Sequence, residues 1–176
     1  VVPIPLYSVQ SYVKGLLDGL VIADAVPALK AYITPPVVDS LDGPRAHVWG
    51  GRMRGRRQTM PRGQAYKRLD WMIDVYLVYE MNPDQPATTI DMDFPLIIDT
   101  VMNKTWTTTM PTFIDPNGVP VTVAQAQANP SVTYSEILAI GEDFELEYEP
   151  ERNPATLRML YYTARLGLDV YEAVQG

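Results

Sequence analysis

Eight cations crowd one stretch of this chain. Arg45, Arg52, Arg54, Arg56, Arg57, Arg62, Lys67 and Arg68 lie in a single window, 45–68, that holds no acid. Arginine interleaved with glycine makes mobile, charge-assisted contacts to phosphates or carboxylates, so nucleic acid and an acidic protein surface are both fitting targets. A second run has the opposite sign: Glu142, Asp143, Glu145, Glu147, Glu149 and Glu151. Alternate strand residues point one way and form no tight ligand loop. These acids therefore fit a solvated edge, or the arginines of a neighbour, better than a calcium site.

The other reactive side chains are sparse. His47 is the only histidine and sits beside Trp49, with no triad or metal cluster to be built around it, so a structural role is expected. Asp70 and Asp74 share one side of a strand pattern and read as solvent-facing positions. Asp91, Asp93 and Asp99 surround a helical pattern and read as caps or surface. Gly50-Gly51 and Gly141 belong to no phosphate-binding loop, because neither a Gly-x-x-x-x-Gly-Lys pattern nor a following helix accompanies them. There are no cysteines, which removes disulfides, thiolate metal sites and thiol nucleophiles together. The residue types thus assign no catalytic residues, no cofactor and no metal. Tyr76, Tyr79, Tyr161 and Tyr162, among eleven tyrosines, suit interfaces as well as cores.

The elements that must carry these residues are organised around Leu69 to Met81. Leu69, Trp71, Ile73, Val75, Leu77, Tyr79 and Met81 alternate with Asp70, Met72, Asp74, Tyr76, Val78 and Glu80. That period of two predicts a long strand with one apolar and one mixed face, the centre of a sheet whose apolar side needs a layer of helices. Prolines, 16 in all, punctuate the remainder. Ser8 is an expected N-cap, followed by Val9, Tyr12, Val13, Leu16, Leu17 and Leu20 at helical spacing to about Ile22. Leu29 to Thr34 reads as extended, and Ala46 to Trp49 as a short strand. Residues 50–64, with five arginines and four glycines, have almost nothing to bury and predict a long mobile loop.

A second helix is expected with Asp91 or Asp93 as its cap, Pro95 in its first turn, and Phe94, Ile97, Ile98, Val101, Met102 and Thr105 on one face. Residues 107–133 carry few signals beyond the turn Asp115-Pro116-Asn117-Gly118, which reads as the tip of an excursion from the core and an interaction surface. Phe144, Leu146 and Tyr148, and then Leu160, Tyr162, Ala164, Leu166, Leu168 and Val170, alternate as a terminal hairpin. The sum is one α+β domain over 1–176: two layers, a mainly antiparallel sheet with helices packed on one face.

Composition agrees with a folded domain, at 47% apolar and 20% charged residues. No apolar run reaches the ~18 residues of a membrane span, no signal peptide is evident, and no membrane partner is expected. The net charge of −7 hides a strong segregation. Eight of the 14 Lys and Arg lie in the basic window, which leaves six against all 21 acids elsewhere. Oppositely charged surfaces on one subunit suit head-to-tail contact between identical copies, whereas an acidic body repels phosphate and argues against a dedicated sequence-specific DNA binder.

In the order of its elements the chain resembles the tail terminator proteins of long-tailed bacteriophages, of the kind found in phages of actinobacteria. The helix Ser8–Ile22, Ala46–Trp49, the long strand Leu69–Met81, the helix Phe94–Thr105 and the hairpin ending in Leu166–Val170 carry the resemblance, and the excursion 107–133 departs from it. The resemblance implies a structural virion protein with no catalytic residues. It implies a homohexameric ring that caps the tail tube and joins it to the head connector, in the virion tail or neck after assembly in the host cytoplasm. The basic loop and the excursion are then candidates for contact with tube, connector or packaged DNA. A head–tail connector (neck) protein and a nucleic-acid-binding module using the arginines stand as the alternatives, with a hydrolase built on the Asp residues behind them.

Overall fold

A computed structural model describes residues 6–23, 26–36, 43–59, 65–80, 87–107, 112–129, 135–140, 146–152 and 160–175. The fold is α+β. In chain order its elements are α1 (Leu6–Leu17), β1 (Lys30–Tyr32), β2 (Arg45–Thr59), β3 (Ala65–Glu80), α2 (Ala87–Thr107), β4 (Thr112–Ile114), β5 (Pro120–Val121), α3 (Val123–Ala128), β6 (Ser135–Ile140), β7 (Leu146–Arg152) and β8 (Leu160–Gln175). The strands form one sheet in the order β1-β2-β3-β8-β6-β4-β5, with β7 also paired to β8. Every pairing is antiparallel except β1 with β2. No helix among the described residues is long and apolar enough to cross a membrane.

The centre of the sheet is β3, flanked along nearly its whole length by β2 and β8. Its odd-numbered residues from Leu69 to Tyr79 are all buried. The register carries that face across its neighbours: Val75 pairs with Val48 and Leu166, and Leu77 with Ala46 and Ala164. Antiparallel partners lie on the same side of a sheet, so these rows form one apolar floor. The helices cover it. In α1 the buried side chains Val9, Tyr12, Val13 and Leu17 recur at helical spacing, and in α2 Phe94, Ile97, Ile98 and Val101 do the same. The first helix packs on β1 and β2, the second on β3 and β8, and the two helices touch each other. Each fully buried Leu, Val, Ile or Phe contributes roughly 1.5–3 kcal/mol, so this single core dominates stability.

Several boundaries differ from the sequence reading, each for a physical reason. Residues 50–59 are strand, not loop; only 60–64 of the expected mobile segment lie outside the described residues. The basic half of β2 buries little of its own, but β3 offers it a continuous ladder of backbone partners. A bulge makes this possible. Trp49 pairs with Asp74 and Arg52 with Met72, so Gly50 and Gly51 together face one residue. Gly50 takes φ +75, and a Cβ on Gly51 would stand 2.7 Å from Leu6 Cδ1 of α1. The double glycine lets the long strand pass beneath that helix.

The first helix ends at Leu17 rather than near Ile22. Gly19 turns left-handed at φ +76, and its N–H donates to Leu29 O at 2.8 Å, sending the chain toward β1. Ser8 is not a cap but a buried residue of the first turn. The second helix begins at Ala87, so Asp91 and Asp93 lie inside it, and Pro95 lies mid-helix. Pro95 is tolerated because it is exposed and water can satisfy the carbonyl it frees.

The excursion also has structure. Its strand β4 joins the main sheet through β6, Ile114 is fully buried in the core, and Thr122 caps α3. The Asp115 turn forms as read, with Asp115 Oδ1 accepting the N–H groups of Asn117 and Val119 at 2.8 and 2.9 Å. Its tip does not leave the core. Ser8 donates its hydroxyl to Pro116 O, and Gly118, at φ +77, is buried against the α1 backbone. The terminal hairpin is present, with β7 extended to Arg152, and β6 is an additional strand beside the far half of β8.

Candidate functional site

The charged segments sit on strands, and the sheet order decides which of them meet. Arg52 and Arg54 are exposed on β2, in register with Met72 and Asp70. The backbone pairs Arg56 with Arg68 and Arg57 with Lys67, so β2 and β3 together gather the basic residues into one ribbon. Arg62 lies outside the described residues. Arg45, from the same window, behaves differently. It is 3% exposed and donates to Glu80 at 3.2 Å.

Of the acids, Glu147, Glu149 and Glu151 are on β7, in register with Arg165, Thr163 and Tyr161. Glu142, Asp143 and Glu145 lie outside the described residues. Because β3 and β8 stand between β2 and β7, the basic and acidic strands of one subunit are three strand spacings apart, roughly 14 Å. Among the described residues the structure therefore does not bring the two sets together within a chain.

The mixed face of the sheet holds the remaining polar groups. His47 is 3% exposed, stacks on Tyr32 with ring centroids 5.6 Å apart, and lies 3.1 Å from Thr34 Oγ1 through Nδ1. Burial holds its pKa below the ordinary imidazole value, and the Arg45 cation adds to this, while the Thr34 contact opposes it. Asp74 accepts Arg165 Nη2 at 3.1 and 3.2 Å, and the Arg165 guanidinium lies 5.8 Å from the Tyr76 ring centroid. The expectation that Asp70 and Asp74 are solvent-facing is corrected: Asp70 is buried, and Asp74 is half-buried and ion-paired. Register explains both, since each lies between β2 and β8 rather than at a free edge.

On α2, Asp91 and Asp99 are exposed, and Asp99 accepts Asn103 Nδ2 at 2.9 Å. Asp93 accepts the hydroxyl of Tyr79, whose pKa is raised first by burial and then by that carboxylate. Among the described residues no three His, Cys, Asp or Glu side chains converge as metal ligands. An open groove of about 430 Å³ lies between α1 and the β1 segment, lined by Tyr7, Ser11, Lys14, Tyr32 and Thr34. The Lys14 ammonium on its wall is paired with Asp18 at 3.0 Å.

Sequence reasoning missed the Arg45–Glu80 pair and the Ser8–Pro116 contact. Both join residues far apart in the chain, and no local pattern marks them. The exposed Trp49 and Met53, beside Arg52 and Arg54, add apolar surface to the basic ribbon. No protein-family model matches this chain, and no curated protein matches it.

Proposed function

We propose that this protein is a structural virion component: a ring-forming tail terminator that caps the tail tube of a long-tailed phage and joins it to the head connector. The observation that carries this reading is the separation of charge on one sheet. A basic ribbon and an acidic strand occupy different flanks of a single sheet, too far apart to neutralise each other within a chain. Such a subunit fits a copy of itself head to tail, and a heterologous contact repeated by rotation closes a ring. The element order adds support through its resemblance to the tail terminators. In this reading the protein makes and breaks no covalent bond. Its partners are its own copies, the tube protein, the connector and, non-specifically, packaged DNA. A neck protein elsewhere in the head–tail joint uses the same surfaces.

The test is mass in solution, with and without tail tubes. A multiple of the protomer mass, alone or on tube ends, is expected; a strictly single-copy protein that leaves tubes uncapped overturns the reading. One observation favours a second reading, a nucleic-acid-binding module: the backbone register pairs Arg56 with Arg68 and Arg57 with Lys67. That reading requires DNA affinity that falls steeply with salt and is lost when Arg54, Arg56 and Arg57 become alanine.

A further inference from the structure

The register leaves two long strand edges without a partner among the described residues. On the outer side of β2, β1 pairs only with Arg45 to His47, and Gly50 O accepts Gln10 Nε2 of α1 at 3.1 Å, so the edge without a partner among the described residues runs from Arg52 to Thr59. The seven-residue β7 pairs with β8 on one side and, among the described residues, with no strand on the other. An open edge presents a row of backbone donors and acceptors for another strand, a row broken on β7 at Pro150, which has no N–H to donate. Each edge carries charge at alternate positions: Arg52, Arg54 and Arg56 on β2; Glu147, Glu149 and Glu151 on β7.

We propose that β7 of one copy adds to the outer edge of β2 of a second copy, antiparallel, setting Glu151, Glu149 and Glu147 opposite Arg52, Arg54 and Arg56. This deepens the ring reading and rests on it for the existence of identical neighbours. The charges choose the pairing. Two β2 edges would oppose arginine with arginine, and two β7 edges glutamate with glutamate; like charges directly opposite are destabilising. Only the unlike edges are complementary, so the contact is head-to-tail, with a different surface of each copy meeting in it.

The strand direction follows from topology. The path β2, β3, β8, β7 takes three antiparallel steps, so β2 and β7 run in opposite senses in one subunit. Rotation about a ring axis preserves those senses, and neighbouring β7 and β2 meet antiparallel. The edges are also staggered. Glu149 shares the row of Thr163 and Val78, whereas Arg54 shares that of Asp70, eight residues along β3 and about 27 Å away. Copies therefore interlock with an offset, and a closed ring requires strands tilted across its axis.

Charge reversal tests this on the full chain at low ionic strength, where exposed charges are least screened. One variant carries Arg52→Glu, Arg54→Glu and Arg56→Glu, the other Glu147→Arg, Glu149→Arg and Glu151→Arg. Each alone is expected to lose self-association by roughly tenfold or more, as three attractive pairs become repulsive. Mixed in equal amounts, on tail tubes if the wild type needs them, they are expected to co-assemble in alternation, which also proves both folded. Arg54→Cys with Glu149→Cys, in a chain that has no other cysteine, is expected to give oxidised ladders between copies, which either single variant cannot form. Variants that assemble as well as the wild type, or a mixture that stays apart with no ladder from the cysteine pair, overturn the edge pairing and leave the ring reading standing. A wild type that remains single with and without tubes overturns the ring itself.

Discussion

Arg45 Nη2 donates to Glu80 Oε1 at 3.2 Å, and the two side chains are 3% and 2% exposed. The pair ties the start of β2 to the end of β3 on the face of the sheet away from the helices. A buried pair contributes little net stability, because desolvation of both ions offsets their attraction; breaking it is costly, because a buried charge loses its ion partner. Arg45→Ala or Glu80→Ala alone is expected to lower unfolding free energy by about 3–5 kcal/mol in denaturant titration. Arg45→Met combined with Glu80→Leu is expected to recover most of that loss. A double variant no more stable than either single one would show that the pair does more than cancel its own charge.

The Asp74–Arg165 pair is the contrasting case. Its side chains are 25% and 38% exposed, so water and salt screen the attraction. Asp74→Asn is expected to cost no more than about 1 kcal/mol, a loss that shrinks as salt is added. Chemical denaturation at two ionic strengths checks it. A cost like that of the Arg45 pair would mean that Arg165, lying over the Tyr76 ring, is held far more rigidly than its exposure implies.

His47 gives the protein a predictable response to acid. Its pKa in the fold lies below its ordinary value, for which burial is the main cause. The unfolded chain therefore takes up the proton first, and stability rises with pH through this interval. The contribution is complete above about pH 6.5, the unfolded imidazole value, and declines as pH falls toward the lowered value in the fold. Asp18 acts lower on the scale. It accepts the Ala31 N–H and pairs with Lys14, which depresses its pKa, so its contribution is present above about 3.9 and is lost below. Thermal melts across pH 7 to 3 are expected to show two declines, and His47→Gln is expected to remove the upper one. An unchanged upper decline in that variant would assign it to another group.

Legibility in the sequence followed the range of the interaction. The period-two pattern from Leu69 to Tyr79 in β3 and from Ala164 to Val170 in β8, and the stripes of Val9, Tyr12, Val13 and Leu17 and of Phe94, Ile97 and Val101, are local signals of burial, and the structure buries those residues. The second half of β2 has no such signal. Arg52 to Arg57 hold nothing to bury, and their strand exists because β3 supplies hydrogen-bond partners from the opposite arm of the hairpin. Gly19 reads as a weak helical residue because composition does not reveal that its N–H finds Leu29 O. At the candidate site the two sets of charges were legible as composition, but their placement on unlike edges is a property of sheet order. The helix N-terminus at Ala87 was hidden by Pro95, which reads more naturally in a first turn.

Gly118 and Gly15 form the sharpest pair of opposed outcomes. Gly118 lies at φ +77, and a Cβ there would stand 2.7 Å from Tyr12 N, 2.8 Å from Ser11 Cβ and against Ser8 O. Two of those neighbours are helix backbone and cannot move aside. Gly118→Ala combines a left-handed conformation costing roughly 1–2 kcal/mol with a clash that lifts the Asp115 turn from α1, so the total exceeds that figure. Gly15 is an exposed residue within α1, and a methyl group added there would meet nothing within 4 Å. Gly15→Ala is expected to stabilise by about 0.5–1 kcal/mol, since alanine loses less backbone freedom on forming helix. Paired melts of the two variants read the difference, and limited proteolysis near the Asp115 turn reads its release. A neutral Gly118→Ala would mean that the turn does not grip the helix, and the excursion would then be an appendage rather than part of the core.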